Sequence, residues 1–408
     1  MLWNSFDHAN LARTLLAHGY YDGALTACSM GLKRSPDSAE LHALLARAYD
    51  GLGRADDALA ACERTLALEQ RGPSALEATI RLALIAFDAG DAAYAFAAAQ
   101  HAWDLAPGDA DVHALIGNLL AWNGELSRAL GHIEWNWVDE LTACLKRFPS
   151  QASWEGEDLR GKRVLVVHGQ GFGDLLQMAR YLGALRERAG HVTVECLPPI
   201  ASVMRRVPGV DEVVAYPTAD PRSYDAYARL MTLPRLLGLD AGLPAPYLAP
   251  DAERSAQWKA RLRDYDGFRV GLTWGGNPRY VFDFARSLSP ELLAPLGALA
   301  NVRYFSLMLE PGVDLGFDVV RIGEAFRDFD DAAAAIAQLD LVISVDTAYA
   351  HLAGALGVPV WTMLKRRPDW RWGGSGDSTP WYPSMRLFRE REPGWNTVIN
   401  RIVNALSP

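Results

Sequence analysis

The chain is 408 residues long, half of them hydrophobic, with a formal net charge of −9 at neutral pH. That length corresponds to about two or three domains, each able to bury a core, and the acidic balance (−8 over residues 1–150, −1 over the rest) argues against nucleic acid as the main partner. No apolar run approaches bilayer length, the N-terminus lacks a signal-peptide core, and the four cysteines show no C-x-x-C spacing, so the expectation is a reduced, cytoplasmic chain without membrane span, disulfide framework or zinc site.

Residues 1–148 read as a helical repeat domain. Gly19, Gly53, Gly90 and Gly124 are spaced by 34, 37 and 34 residues, and Ala24, Ala58, Ala95 and Ala129 follow each at one offset. Leu11, Leu45, Leu82 and Ile116 precede the glycines by eight residues, each with a small neighbour: Ala12, Ala46, Ala83 and Gly117. Pro36 and Pro107 close the first and third units. The second departs, with Gln70 in that slot and Arg71, Gly72 and Pro73 inserted, and the fourth has Leu141 there. The pattern resembles the tetratricopeptide repeat, whose small residues let two helices approach closely. No such unit buries its own apolar face, so neighbours stack and leave a groove lined by the first helices, which implies a protein or peptide partner. Cys28 and Cys62 share one slot and read as core. His8, His42 and His113 share another and read as packing rather than metal ligands.

Residues 149–160 are rich in turn-forming residues and read as a linker, and Trp135, Trp137 and Trp154 are expected to dock the repeats on the next domain.

Residues 161–250 open with RVLVVHGQGFGD, in which 164–167 is an unbroken apolar run of the kind buried on both faces of a parallel sheet. Apolar residues at helical spacing come next over 175–188, so Gly169, Gly171 and Gly173 form a strand-to-helix turn at the edge where open α/β sheets bind ligands. Glycines there let a ligand approach the backbone, and the helix end favours a negative group. Asp174 is either an N-cap or a general base, and one side chain can serve as both. Strands at 191–196 and 212–215, a helix at 200–207 and the segment 226–237 continue an alternating pattern that implies a doubly wound parallel sheet.

Residues 251–408 begin with a charged helix at 251–265, after which the pattern restarts. Strands are expected at 268–274, 302–308, 319–322, 341–345 and 358–364. In DLVISVDTAYAHLAGALGVPVW, residues 340–361, the fourth of these runs into Asp346 and Thr347 ahead of a helix whose free N–H groups suit a diphosphate. His351 follows Thr347 by four residues and shares its helix face, which favours a phosphate or ribose contact. Asp328-Phe329-Asp330 has the D-x-D form of metal-dependent transferases, but it precedes a short helix and reads as acidic capping. Arg286 offers a planar, permanently charged fork for a leaving phosphate.

These motifs together, with WGGNP, the Arg286–Ser287 pair, and the closing DWRW, WYPSMRLF and GW, resemble GT-B glycosyltransferases of the heptosyltransferase-like type fused to tetratricopeptide repeats in bacteria. The resemblance covers nearly the whole chain. It implies an α-helical repeat solenoid followed by two facing Rossmann-like α/β domains, no cofactor, no metal, and a nucleotide-sugar donor held mainly by the second domain. It also implies Asp174 as catalytic base. Donor contacts fall on Gly171, Gly173, Trp274, Gly275, Arg286, Ser287, Asp346, Thr347, Ala348 and His351, with Arg366 and Trp370 as further phosphate or base contacts. Ala348 departs from the glycine found there in many heptosyltransferases, which bears on the sugar accepted. The family includes flagellin glycosyltransferases, so Ser or Thr of flagellin or another surface protein is the expected acceptor. Two other readings compete. One is a repeat scaffold whose α/β half has lost turnover. The other is a dinucleotide-dependent oxidoreductase using Glu195 for ribose, although G-x-G-x-x-G would put its last glycine at Asp174.

Overall fold

A computed structural model describes residues 5–137, 146–148, 152–167, 171–238, 245–277, 283, 286–309, 312–392 and 394–407. These residues fall into two compact units, a helical one up to Asn136, which also takes in Asp283, and an α/β one from Trp137 to Asn277 and from Arg286 onward. Leu141, Cys144 and Gly169 lie outside the described residues.

The helical unit consists of four helix pairs: α1 (Ser5–Ala17) with α2 (Tyr21–Leu32), α3 (Ala39–Gly51) with α4 (Ala55–Leu68), α5 (Pro73–Asp88) with α6 (Ala92–Leu105), and α7 (Ala110–Trp122) with α8 (Leu126–Ile133). The four repeating glycines turn the chain within each pair, with φ of 75°, 73°, 84° and 85°, a left-handed conformation that a side chain disfavours. Ala24, Ala58, Ala95 and Ala129 are fully buried, as are Ala12, Ala46 and Ala83. At Gly117 an added methyl would lie 3.0 Å from Ile133 Cγ1, so close helix approach is the reason for the small residues. The irregular second unit uses its inserted Pro73 as the first residue of α5, where a missing N–H costs nothing. His42 and His113 bond the carbonyls of Pro36 and Pro107 at 2.9 and 3.1 Å, so their shared slot fastens the turn between units. No helix among the described residues is long and apolar enough to cross a membrane.

The α/β unit holds two all-parallel sheets. The first comprises β1 (Ala152–Ser153), β2 (Arg163–Val167), β3 (His191–Cys196), β4 (Glu212–Ala215) and β5 (Ala226–Arg229), in the order β1-β5-β2-β3-β4. The second comprises β6 (Phe268–Thr273), β7 (Val302–Ser306), β8 (Val319–Arg321), β9 (Leu341–Val345), β10 (Val360–Leu364) and β11 (Met385–Arg389), in the order β11-β10-β9-β6-β7-β8. That second order is the doubly wound one, with the direction of winding reversing between β6 and β9. In the first sheet it reverses between β2 and β5.

Helices α9 (Phe172–Met178) and α10 (Leu182–Arg188) follow β2, α11 (Pro198–Met204) follows β3, and α12 (Leu233–Leu237) follows β5. Then come α13 (Ala252–Leu262), α14 (Phe329–Ile336), α15 (Ala348–Leu356) and the closing α16 (Asn396–Leu406), whose Val398, Ile399 and Ile402 are buried against the second sheet. The single helix expected over 175–188 starts earlier and is broken by a tight turn at Ala179–Tyr181.

The linker expectation is corrected. Ala152 and Ser153 pair with β5, Trp154 is buried, and its N–H donates to Tyr227 O at 2.8 Å. Phe148, expected to close the repeats, is buried with Leu165, Val167 and Tyr227. The α/β body recruits these aromatic residues because burying such large apolar surfaces outweighs the turn-forming character of their neighbours. Trp135 stacks on His113 with ring centroids 4.0 Å apart, so it packs inside its own unit.

Candidate functional site

The turns after β2 and β9 lie at the two switch points and lead into α9 and α15. These two helix N-termini meet. A methyl at Gly173 would lie 2.9 Å from His351 Cδ2 and 3.8 Å from Ala348 Cα, so glycine is what admits the approach.

Asp174 is the third residue of α9 rather than its N-cap, a position taken by Gly171. Its Oδ2 accepts the Gly171 N–H at 2.9 Å, closing the open end of the first turn. Its Oδ1 accepts from the guanidinium of Arg371, which belongs to the second half of the unit. Arg371 is nine-tenths buried. It also donates to Gln177 Oε1 at 2.5 Å and Asp369 Oδ1 at 2.7 Å, while Trp381 Nε1 donates to its carbonyl at 2.7 Å.

On the facing wall, Thr347 precedes α15 without capping it by a side-chain bond, and its hydroxyl lies 3.0 Å from Ser344 Oγ. The first-turn N–H groups of α15 therefore have no side-chain acceptor from Thr347, which leaves a positively polarised end. Asp346 stands just ahead, with Arg286 donating to its carbonyl at 3.0 Å. Burial pushes the Asp346 carboxyl up, but contacts with His351 and Trp372 and the Arg371 charge outweigh it and hold the group below its ordinary value. Burial, with Asp346 and Asp174 close by, pushes the Asp369 carboxyl up despite Arg371. Two neighbouring carboxylates are thus displaced in opposite directions, a pattern common at functional sites.

His351 is buried. Its Nδ1 is 3.0 Å from Tyr382 Oη, its Nε2 is 3.7 Å from Asp346 Oδ1, and its ring stacks on Trp372 at 5.2 Å. Tyr382 is in turn held by Arg180, whose guanidinium lies 4.8 Å over its ring, 4.9 Å over Tyr247 and 5.4 Å over Trp381. Arg180 also donates to Trp381 O at 2.8 Å. This caged cation ties α9's neighbourhood to the segment carrying Tyr382.

The remaining expected residues occupy varied surroundings. Trp274 is buried in the core of the second sheet, and Gly275 comes after it with Ser287 Oγ 3.4 Å from where a methyl would stand. Ser287 Oγ accepts the Gly276 N–H at 3.1 Å. These residues line the turn after β6, across the switch point from Asp346. Arg366 is held through its backbone N–H by Glu390 at 3.0 Å. Trp370 is 6% exposed, packed edge-on to Trp381 with Arg371 over its face at 4.8 Å, so protein already occupies its ring. Asp328 caps α14, accepting from the N–H groups of Asp330 and Asp331 at 3.0 Å each, and Asp330 pairs with Arg206. Glu195 is fully buried, gripped by both guanidinium nitrogens of Arg147 at 2.8 and 2.9 Å and by the Ala219 N–H at 3.1 Å. It has no freedom to meet a ribose, which removes the carboxylate on which the oxidoreductase reading relied.

Arg371, Gln177, Asp369, Arg180 and Tyr382 were missed as individual residues. The signal for three of them was the clustering of charge among aromatics in DWRW and WYPSMRLF.

The described residues thus build a tetratricopeptide-type repeat followed by parallel α/β sheets with a cluster of polar and charged side chains at their switch points. Residues 10–79 match the tetratricopeptide repeat family, and residues 327–394, which include Asp346, Thr347, His351 and Arg371, match glycosyltransferase family 9 (heptosyltransferase). The chain is 28% identical over 439 residues to Protein FlbA of Caulobacter vibrioides, an alignment that covers all of this chain and 67% of that protein. Among solved structures it is similar to a glycosyl transferase family 9 protein of Veillonella parvula DSM 2008, at 14% identity and TM-score 0.43 over 58% of this chain and 88% of that one. It is also similar to the E. coli ADP-heptose lps heptosyltransferase II, at 13% identity and TM-score 0.45 over 60% and 97%.

Proposed function

We propose that the protein is a cytoplasmic glycosyltransferase of the GT-B type, moving a sugar from a nucleotide-sugar to a hydroxyl on a protein held by the repeat groove. The observation that carries this reading is the close approach of Gly173, the residue before Asp174, to the uncapped start of α15. In the reaction, the acceptor oxygen bonds the anomeric carbon as its proton passes to the Asp174 carboxylate. The bond from that carbon to the phosphate oxygen breaks, and the electron pair leaves on the nucleotide, stabilised by the α15 N–H groups and Arg286. The helix end and arginine supply the charge compensation that a metal supplies elsewhere.

The repeats support a protein acceptor, since a stacked helical array offers an extended groove rather than a small-molecule pocket. Ser or Thr of flagellin or another surface protein is the acceptor we put forward. Thermal-shift titration with UDP-, GDP-, ADP-, dTDP- and CMP-sugars tests the donor half, because a ligand bound only by the folded state raises the melting temperature. One sugar nucleotide is expected to shift the melt and to be consumed when acceptor is added. No shift and no nucleotide release with any of them would overturn the reading.

A further inference from the structure

We propose that Arg371 is a further donor-binding residue, which gives up the Asp174 carboxylate for the diphosphate of the incoming nucleotide-sugar and so unmasks the base. This rests on the glycosyl-transfer reading above.

Both Asp174 oxygens are engaged in this structure, Oδ2 by the Gly171 N–H and Oδ1 by Arg371. A carboxylate has about four lone-pair sites, so a hydroxyl can bind beside these partners, but the guanidinium against Oδ1 neutralises the charge that the acceptor's proton would meet. The Gly171 bond closes α9 and belongs to the helix, whereas Arg371 reaches in from the other half of the unit, so the guanidinium is the partner that can leave.

One buried donor beside Arg371 lacks an acceptor. Gln177 is fully buried, and its carboxamide oxygen is fixed against Arg371 Nε at 2.5 Å. The amide is thereby oriented, because only its oxygen can accept from a guanidinium. Its Nε2 is left with no partner among the described residues. A buried N–H group without an acceptor is costly, so this one is open to an anion. The uncapped end of α15 adds further N–H groups nearby, since Ala348 and His351 lie against Gly173, the residue before Asp174. A guanidinium, a carboxamide N–H2 and a helix end therefore lie in one neighbourhood, where Arg371 is shared among the carboxylates of Asp369, Asp174 and Asp346.

Exchange of one anion for another suits arginine, whose planar fork accepts carboxylate and phosphate in the same two-pronged way. Asp369 keeps its 2.7 Å bond to Arg371 and acts as the pivot. Once Arg371 holds the phosphate, Asp174 faces the acceptor hydroxyl, takes its proton as the new bond to the sugar forms, and the departing electron pair rests on the oxygen that Arg371 holds.

The consequence is opposite to that of an ordinary binding-site mutation: Asp174 competes with the donor for Arg371, so neutralising it tightens diphosphate binding. Calorimetric titration of the full chain with inorganic pyrophosphate, ADP, GDP and UDP tests this. Asp174→Asn is expected to bind on the order of tenfold tighter than the parent protein, and Arg371→Gln on the order of tenfold weaker. The double variant is expected to gain nothing over Arg371→Gln. Thermal melting checks each fold. If Arg371→Gln does not fold, Arg371→Lys, which keeps the charge and loses the fork, must shrink the gain from Asp174→Asn. Unchanged or weaker binding by Asp174→Asn, or an equal gain with and without Arg371, overturns the exchange. If transfer is observed without the tightening, the exchange alone fails. If the tightening holds while no sugar nucleotide is turned over, the glycosyl-transfer reading alone fails.

Discussion

Gly173 and His351 meet so closely that no side chain fits between them: a methyl on the glycine would stand 2.9 Å from the imidazole Cδ2. The contact fixes the distance between Asp174, next in sequence to Gly173, and Asp346, which His351 faces at 3.7 Å. Gly173→Ala is expected to lower transfer on the order of a hundredfold, because displacing reacting groups by about 1 Å has that effect, while overpacking costs about 1–3 kcal/mol. Steady-state rates and thermal melting measured side by side check this. An unchanged rate would show that the approach of the two helices has no bearing on chemistry.

Tyr382→Phe removes the hydroxyl 3.0 Å from His351 Nδ1 and leaves a buried ring nitrogen without that partner. We expect a loss of about 1–3 kcal/mol in stability. The imidazole is also freed to turn away from Asp346, so donor binding should weaken. Denaturant unfolding and donor titration of the variant measure the two effects.

Acid stability should depend on Asp331. Its bond to the Arg327 guanidinium, with the Arg327 backbone N–H and the Arg254 charge, outweighs burial and lowers its carboxyl from 3.8 to about 2. A carboxyl lowered by folding stabilises the protein fully above its unfolded value and stops doing so as pH falls through the folded one. The contribution is at most about 2 kcal/mol, and less because Arg327 is largely exposed. Asp331→Asn should therefore cost stability at neutral pH, and the difference from the parent should shrink between about pH 4 and about pH 2. Equilibrium unfolding at several pH values checks the trend.

Burial pushes the Cys28 and Cys62 thiols up to about 12, and the Cys196 thiol to about 11. Because the thiolate is the reactive form, these three should resist a thiol reagent at pH 8 in the folded protein and react on unfolding. Colorimetric thiol titration with and without denaturant gives the count directly.

Much of this organisation was legible in the sequence because it arises from periodicity. The glycine and alanine register of the repeats marks left-handed turns and close helix contacts, and the apolar runs at 164–167 and 341–345 mark strands buried on both faces. What escaped was set by partners distant in sequence. Edge strand β1 is two residues long and gains its identity only from β5, and β11 pairs with β10 across a loop without strand pattern. Arg371 meets Asp174 and Arg180 meets Trp381 across 197 and 201 residues, pairings that no local spacing announces. Trp370 looked like a stacking platform because aromatic residues near a ligand edge often are; its neighbours Trp381 and Arg371 bury it.

The central claim is that Asp174 takes the acceptor proton while the α15 end receives the leaving nucleotide. Single-turnover transfer by Asp174→Asn, with donor binding confirmed by thermal shift, tests it most directly. Retained donor binding with transfer slowed by roughly 10²–10⁴-fold is the expected result. Transfer at the parent rate by a folded, donor-bound Asp174→Asn protein would contradict it.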